Sequence, residues 1–197
     1  MKKRDLRTNK LAEEILKRDL SPQSSSRGLV QIFTGSGKGK TSAALGNVMR
    51  ALGHGLKVYI VFFMKGDYPY GERNILCKLD NVTIASIGQE EFVDPKNIKQ
   101  NQMAQAGQAL KAGREAILSG QYDLVVLDEI NVAAGFNLIS VEEVMQLIKD
   151  KPEKVELILT GRLADPRLIQ MADLVTEMVK IKHPYDTGVA ARRGIEY

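Results

Sequence analysis

The sequence predicts an α/β fold, a mostly parallel central sheet with helices on both faces, and three observations support that expectation. Runs of Val, Ile and Leu recur at 29–34, 57–63, 122–129 and 154–161. They are too continuous for strands with one wet face and read as strands buried on both sides. Stretches with helical spacing separate them, the alternation expected of a parallel sheet. A glycine-rich turn, an acidic pair and Gly161-Arg162 each fall at the carboxyl end of one such run, where parallel sheets hold their ligands.

The chain of 197 residues is long enough for one domain with a substantial core. At 44% hydrophobic and 26% charged it has the composition of a soluble globular protein. No apolar run approaches a membrane span, and the charged N-terminus lacks an apolar leader segment, so a cytoplasmic location is expected. The single cysteine, Cys77, excludes an internal disulfide and a cysteine metal pair. The formal charge of +4 is carried entirely by residues 1–27, while the rest of the chain balances to zero. A nucleic-acid enzyme more often spreads positive charge over its working face, so neither nucleic acid nor membrane is expected as a partner.

The elements follow in order. Leu6, Leu11, Ile15, Leu16 and Leu20 recur at roughly helical spacing, so the basic arm 1–27 reads as an amphipathic helix, a solvated tail or a lid. The linker "SPQSSSRG" (21–28) leads into a nucleotide-binding catalytic domain, 28–197. The strand 29–34 ends at the glycine turn, and 41–52 is helical, closed by Gly53. Strands at 57–63 and 81–87 precede a long helical stretch over 97–119. The strand 122–129 ends in two acids. Ser140 with Glu143 three places on is a capping box for a helix over 140–149. Strands at 154–161 and 174–181 flank a short helix over 165–172.

The turn "FTGSGKGKTSAALG" (33–46) departs from the common phosphate-loop pattern, because Thr34 stands where the first glycine usually falls. Its chemistry still points to phosphate. Gly35, Gly37 and Gly39 permit close backbone approach, and the helix that follows adds partial positive charge. Ser36 and Lys38 complete the loop, Lys40 would pair with phosphate oxygens, and the Thr41 hydroxyl would ligate Mg²⁺ (or Mn²⁺). A tight turn that binds nothing is the bland alternative. Asp128 and Glu129 supply the second half of a nucleotide site, since a carboxylate at the end of a buried strand can hold the metal directly or through water. A three-layer P-loop NTPase-like (RecA-like) domain for ATP or GTP is therefore expected. It leaves the reaction open: an ATPase, a small-molecule kinase, or a nucleotide-dependent binding module using the basic arm.

The remainder of the body resembles the cob(I)alamin (corrinoid) adenosyltransferases of the P-loop type. The resemblance lies in the loop itself and in "RALGHG" (50–55), "KG" (65–66) then "GERN" (71–74), "VVLDEIN" (125–131), "LTGR" (159–162), "ADLVTEM" (172–178) and "KHPYDTGVAARRGIEY" (182–197). It implies transfer of the 5′-deoxyadenosyl group of ATP to the Co(I) of a corrinoid, with ATP reversed so that the loop grips its terminal phosphate. Lys40, Thr41 and Glu129 would neutralise the leaving triphosphate, with Lys38 and Arg50 near the nucleotide. The resemblance also implies a homodimer, a flavoprotein reductant and an arm that covers corrinoid. Many members carry Phe-Thr-Trp in the segment matching 87–95; this chain has no tryptophan, and Phe92 is left as the apolar wall that replaces the lower axial ligand. His54 reads as a turn residue, His183 as a contact for nucleotide or a neighbouring subunit, and Cys77 as a small buried hydrophobe in a helix. Tyr68 and Tyr70 read as surface turn residues.

Overall fold

The computed structural model describes residues 27–66, 68–89 and 93–197. The expectations for the basic arm up to residue 26 and for Phe92 lie outside the described residues. Six strands, β1 (Val30–Thr34), β2 (Val58–Phe63), β3 (Val82–Ile87), β4 (Leu124–Asp128), β5 (Glu156–Thr160) and β6 (Leu174–Glu177), form one sheet in the order β3-β2-β4-β5-β1-β6. Every adjoining pair is parallel. Between them run α1 (Lys40–Gly53), α2 (Gly71–Leu76), α3 (Gln100–Leu118), α4 (Ile130–Gly135), α5 (Val141–Asp150) and α6 (Pro166–Met171), and a 3₁₀ turn covers Pro184–Thr187.

From β1 the chain steps through β2 to β3 at one edge, then reverses through β4 and β5 to β6 at the other. Right-handed crossovers put the helices of the two directions on opposite faces. The strand pleat matches this division. Ile60, Phe62, Val126 and Ile158 meet Ala44, Val48 and Ala51 of α1 in one core. Their neighbours Val61, Leu127, Leu157 and Leu159 form a second core with Ala109 and Ile117 of α3 and Val144 and Leu147 of α5. Two apolar cores on either side of one sheet make the three layers expected from sequence.

The register sets the site. Phe33 of β1 lies beside Thr160 of β5, and Phe62 of β2 beside Asp128 of β4, so the carboxyl ends of these strands are level. The capping box at the start of α5 forms as expected, with the Glu143 N–H on Ser140 Oγ at 3.2 Å and the Ser140 N–H on Glu143 Oε2 at 2.8 Å.

Several expectations need correction. β6 stops at Glu177, short of 181, because the Met178 carbonyl takes the Gly37 N–H at 2.6 Å and the chain then turns away along the loop. Cys77 is exposed, not buried: α2 has only six residues and buries Leu76 alone, and Cys77 caps its end toward solvent. Tyr68 and Tyr70 are half-buried rather than surface turn residues, because their rings pack at a tilt with centroids 5.0 Å apart and Tyr68 also meets the Tyr197 ring edge-on at 5.2 Å.

Candidate active site

The loop between β1 and α1 is held from behind. Gly35 and Gly39 have φ of 96° and 114°, the left-handed region that suits glycine. A Cβ on Gly35 would lie 2.5 Å from the Met178 carbonyl oxygen, and one on Gly37 2.8 Å from the same atom. These two glycines let the loop press against the chain leaving β6. Lys40 is the first residue of α1 and only 7% exposed. Its ammonium donates to the Gly35 and Gly37 carbonyls at 2.9 and 2.7 Å. Burial pushes its pKa below the ordinary lysine value; Glu129 pushes it back up, Arg162 down and Asp128 up. Thr41 follows in the first turn of α1. Lys38 is not simply solvated: its ammonium meets the Glu196 carboxylate at 2.6 Å. Ser36, on the exposed side of the loop, borders a cleft of about 340 Å³ with Arg162, Lys180 and His183. The His183 ring is occupied locally, its Nδ1 accepting the Tyr185 N–H at 3.1 Å.

The acidic pair divides its work. Asp128 is 1% exposed. Its Oδ1 accepts from the Thr160 hydroxyl at 2.7 Å and its Oδ2 from the Lys65 ammonium at 2.5 Å. The Thr160 hydroxyl in turn accepts the Glu129 N–H at 2.9 Å. Both Asp128 oxygens are thus taken by protein, and the pair of bonds through Thr160 fixes where Glu129 leaves the strand. Burial pushes the Glu129 carboxyl above the usual carboxylate range, Asp128 adds to that, and Lys65, Lys40 and Arg162 oppose it. Three cations therefore surround two carboxylates.

Two chambers open here. One of about 390 Å³ is lined by Phe63, Met64, Glu129, Phe136, Arg162 and Leu163, among others. The other, about 610 Å³, is lined by Thr41, Ser42, Met49, Ile75, Ile195 and Tyr197, among others. Lys65 and Tyr70 line both and form the wall between them. Met64, Glu129 and Leu163 have φ of 58°, 67° and 62°, and all three line the first chamber. Left-handed backbone in side-chain-bearing residues is strained, and such strain gathers at functional sites. Beside this chamber Asn131 is buried with neither amide atom hydrogen-bonded.

The fold thus brings together Gly35, Ser36, Gly37, Lys38, Gly39, Lys40, Thr41, Asp128 and Glu129, as the sequence predicts. Arg50 is not among them. It is exposed in the last turn of α1, bonded to Asn47, about 15 Å along the helix from Lys40. Lys65, Thr160, Tyr70 and Glu196 are site residues to which the sequence reading gave no role in the site. Lys65 carried a usable signal, since it stands just past a buried strand as Glu129 does; Glu196 lies in the terminal stretch that carries the family resemblance, but nothing local indicates its partner, 158 residues away. Among the described residues no group of three or more His, Cys, Asp or Glu could hold a metal ion. A hydroxyl on Thr41 and a carboxylate on Glu129 are hard oxygen donors of the kind that suits Mg²⁺ sharing its other positions with phosphate and water.

A family model described as ATP:corrinoid adenosyltransferase BtuR/CobO/CobP matches residues 26–197. The chain is 36% identical over 171 residues to the corrinoid adenosyltransferase of Escherichia coli K12, covering 87% of this chain and 86% of that protein. It is 36% identical over 181 residues to a corrinoid adenosyltransferase from Sinorhizobium sp, covering 90% and 84%. To the corrinoid adenosyltransferase of Pseudomonas aeruginosa it is 36% identical over 171 residues, covering 87% and 84%. The family match runs from the linker to the last residue and so takes in the loop, both acids and every wall of the two chambers: the chain belongs to the ATP:corrinoid adenosyltransferases.

Proposed function

We propose that this enzyme transfers the 5′-deoxyadenosyl group of ATP to the Co(I) of a corrinoid and releases triphosphate. The observation that carries this reading is that the glycine loop and Glu129 open onto two adjoining chambers, room for a nucleotide and for part of a second, large substrate. An ATPase would need only one. ATP lies with its terminal phosphate in the loop of residues 35–41 and its 5′-carbon toward the Glu129 chamber. The Co(I) electron pair forms the bond to C5′ as the bond from C5′ to oxygen breaks, and that pair leaves with the triphosphate. No proton moves, so the protein needs no general base. It positions the reacting atoms and neutralises a polyanion.

Lys40 supplies charge to the leaving triphosphate, together with the loop amides, Ser36 and Lys38. Thr41 and Glu129 would hold Mg²⁺, which would offset the same charge; Asp128, engaged on both oxygens by Lys65 and Thr160, would support Glu129 and could serve the metal through water. Phe92 and Arg50 enter from family resemblance alone, as the apolar wall beneath the corrin and as a nucleotide contact. The basic arm 1–27 serves as a lid over corrinoid beside the catalytic body 28–197. The enzyme works as a homodimer in the cytoplasm, supplied with electrons by a flavoprotein. No helix among the described residues is long and apolar enough to cross a membrane.

Product analysis tests the reaction. Enzyme, MgATP and prereduced corrinoid should give adenosylated corrinoid and intact triphosphate. Lys40→Ala should slow this by about 100-fold or more, the loss typical when one preorganised charge-stabilising group is removed. ADP and orthophosphate formed without corrinoid, or near-normal turnover by Lys40→Ala, would contradict the assignment.

A further inference from the structure

We infer that Lys65 is a further catalytic residue of this reaction, its ammonium contacting the phosphate oxygen that departs from C5′. The inference rests on the orientation of ATP proposed above. Four observations carry it. First, Lys65 stands at the wall common to both chambers. A triphosphate held between Thr41 in one chamber and Glu129 in the other must pass that wall.

Second, the residue is fixed before any ligand arrives. Its carbonyl accepts from the Ser86 hydroxyl at 2.9 Å and from the Arg73 guanidinium, which also donates to the Gly66 carbonyl at 2.6 Å. Its side chain lies 5.0 Å from the Tyr70 ring centroid and 5.4 Å from that of Phe62.

Third, the ammonium is undersupplied with acceptors. The side chain is only 12% exposed, and its single hydrogen bond among the described residues goes to Asp128. An ammonium has three donors, so two remain for a ligand. Fourth, Lys40, Lys65 and Arg162 outnumber Asp128 and Glu129, so a polyanion completes the charge balance of the cluster.

The role is electrostatic. As the bond from C5′ to oxygen breaks and its electron pair moves onto the triphosphate, negative charge grows on one oxygen, and a desolvated cation already in place stabilises it. No proton need be transferred. The structural alternative is that Lys65 only neutralises the buried Asp128 carboxylate.

Single-turnover transfer to prereduced corrinoid separates the two, with MgATP affinity measured by calorimetry and folding by thermal melts. Lys65→Met should slow transfer about 100-fold while the Kd for MgATP changes by no more than about threefold, because the contact strengthens in the transition state. Lys65→Arg should recover part of the rate. Lys65→Met alone leaves Asp128 unpaired, so the double variant Lys65→Met/Asp128→Asn is the control that keeps the fold. It should be slower than Asp128→Asn by a similar factor. Equal rates for the double variant and Asp128→Asn, or a loss of affinity that matches the loss of rate, would overturn the inference while wild-type transfer still stood. Wild-type enzyme that formed neither triphosphate nor adenosylated corrinoid would overturn the underlying reading, and this inference with it.

Discussion

Glu129 occupies a place where a carboxylate is hard to keep ionised, and its cost is measurable. Burial, then the neighbouring Asp128, raises its pKa above the usual 4.5, so the folded protein holds that proton more tightly than the unfolded chain. Below pH 4.5 both states are protonated and nothing is lost. As pH rises from there through the folded value, the unfolded state ionises first and stability falls. Glu129→Gln should therefore melt higher than wild type near neutral pH, by a few degrees if about 1 kcal/mol is relieved, and the gap should close as pH falls into the unfolded range. MgATP should raise the melting temperature of wild type more than that of the variant, which lacks the carboxylate for the metal. A variant that melted lower than wild type at neutral pH would contradict this account. The sequence showed where the acids stand, because a polar pair after four apolar residues marks a strand end. It could not show that Asp128 was already committed, since its partners Lys65 and Thr160 arrive through strand pairing 63 and 32 residues away.

At the scale of elements, α3 shows how a helix fixes the strand that carries the acids. Gly113 lies so close to β4 that a Cβ there would be 2.6 Å from Leu127 Cδ2, and Leu127 is fully buried immediately before Asp128. Six residues earlier on the same helix, Gly107 is exposed with nothing within 4 Å of its would-be Cβ. Replacing glycine by alanine in a helix interior gains about 1 kcal/mol from propensity. Gly107→Ala should show that gain as a higher melting temperature. At Gly113 the same gain meets overpacking that costs about 1–3 kcal/mol, so Gly113→Ala should be net destabilising, by about 1 kcal/mol. Denaturant unfolding of the two variants checks the contrast; equal shifts in the same direction would refute it. The long elements were legible because their apolar spacing is dictated by a two-sided core. Of the six-residue helices, α6 was legible over 165–172, where Asp165 and Pro166 open it, but α4 and α2 were not. α4 begins from a left-handed Glu129 with no side-chain cap, and α2 buries one residue, so neither leaves a periodic signature.

At the scale of the molecule, the sheet was readable as parallel and double-faced, but its strand order was not, because only the direction of each crossover decides it. That order leaves β6 at an edge, paired with β1 alone. All four of its residues are exposed, among them Leu174 and Val175, and the segment beyond exposes Val179 at 68% and Ile181 at 89%. An apolar edge strand with unused backbone donors and acceptors invites pairing, and natural chains usually charge or cover such an edge. A second copy covers it economically, since one strand set against itself around a two-fold axis makes a self-complementary interface. The chain should then be a dimer at micromolar concentration by light scattering or sedimentation. Val175→Lys combined with Ile181→Glu, charges placed on the edge strand and on the segment beyond it, should give a folded monomer. The site would feel the change. The Met178 carbonyl that takes the Gly37 N–H stands directly after β6, so loosening the edge loosens the back of the glycine loop. MgATP should bind the monomeric variant more weakly than the dimer, while its melting curve stays cooperative. A monomeric wild type would remove the proposed pairing, and a variant that stayed dimeric would place the interface on another surface.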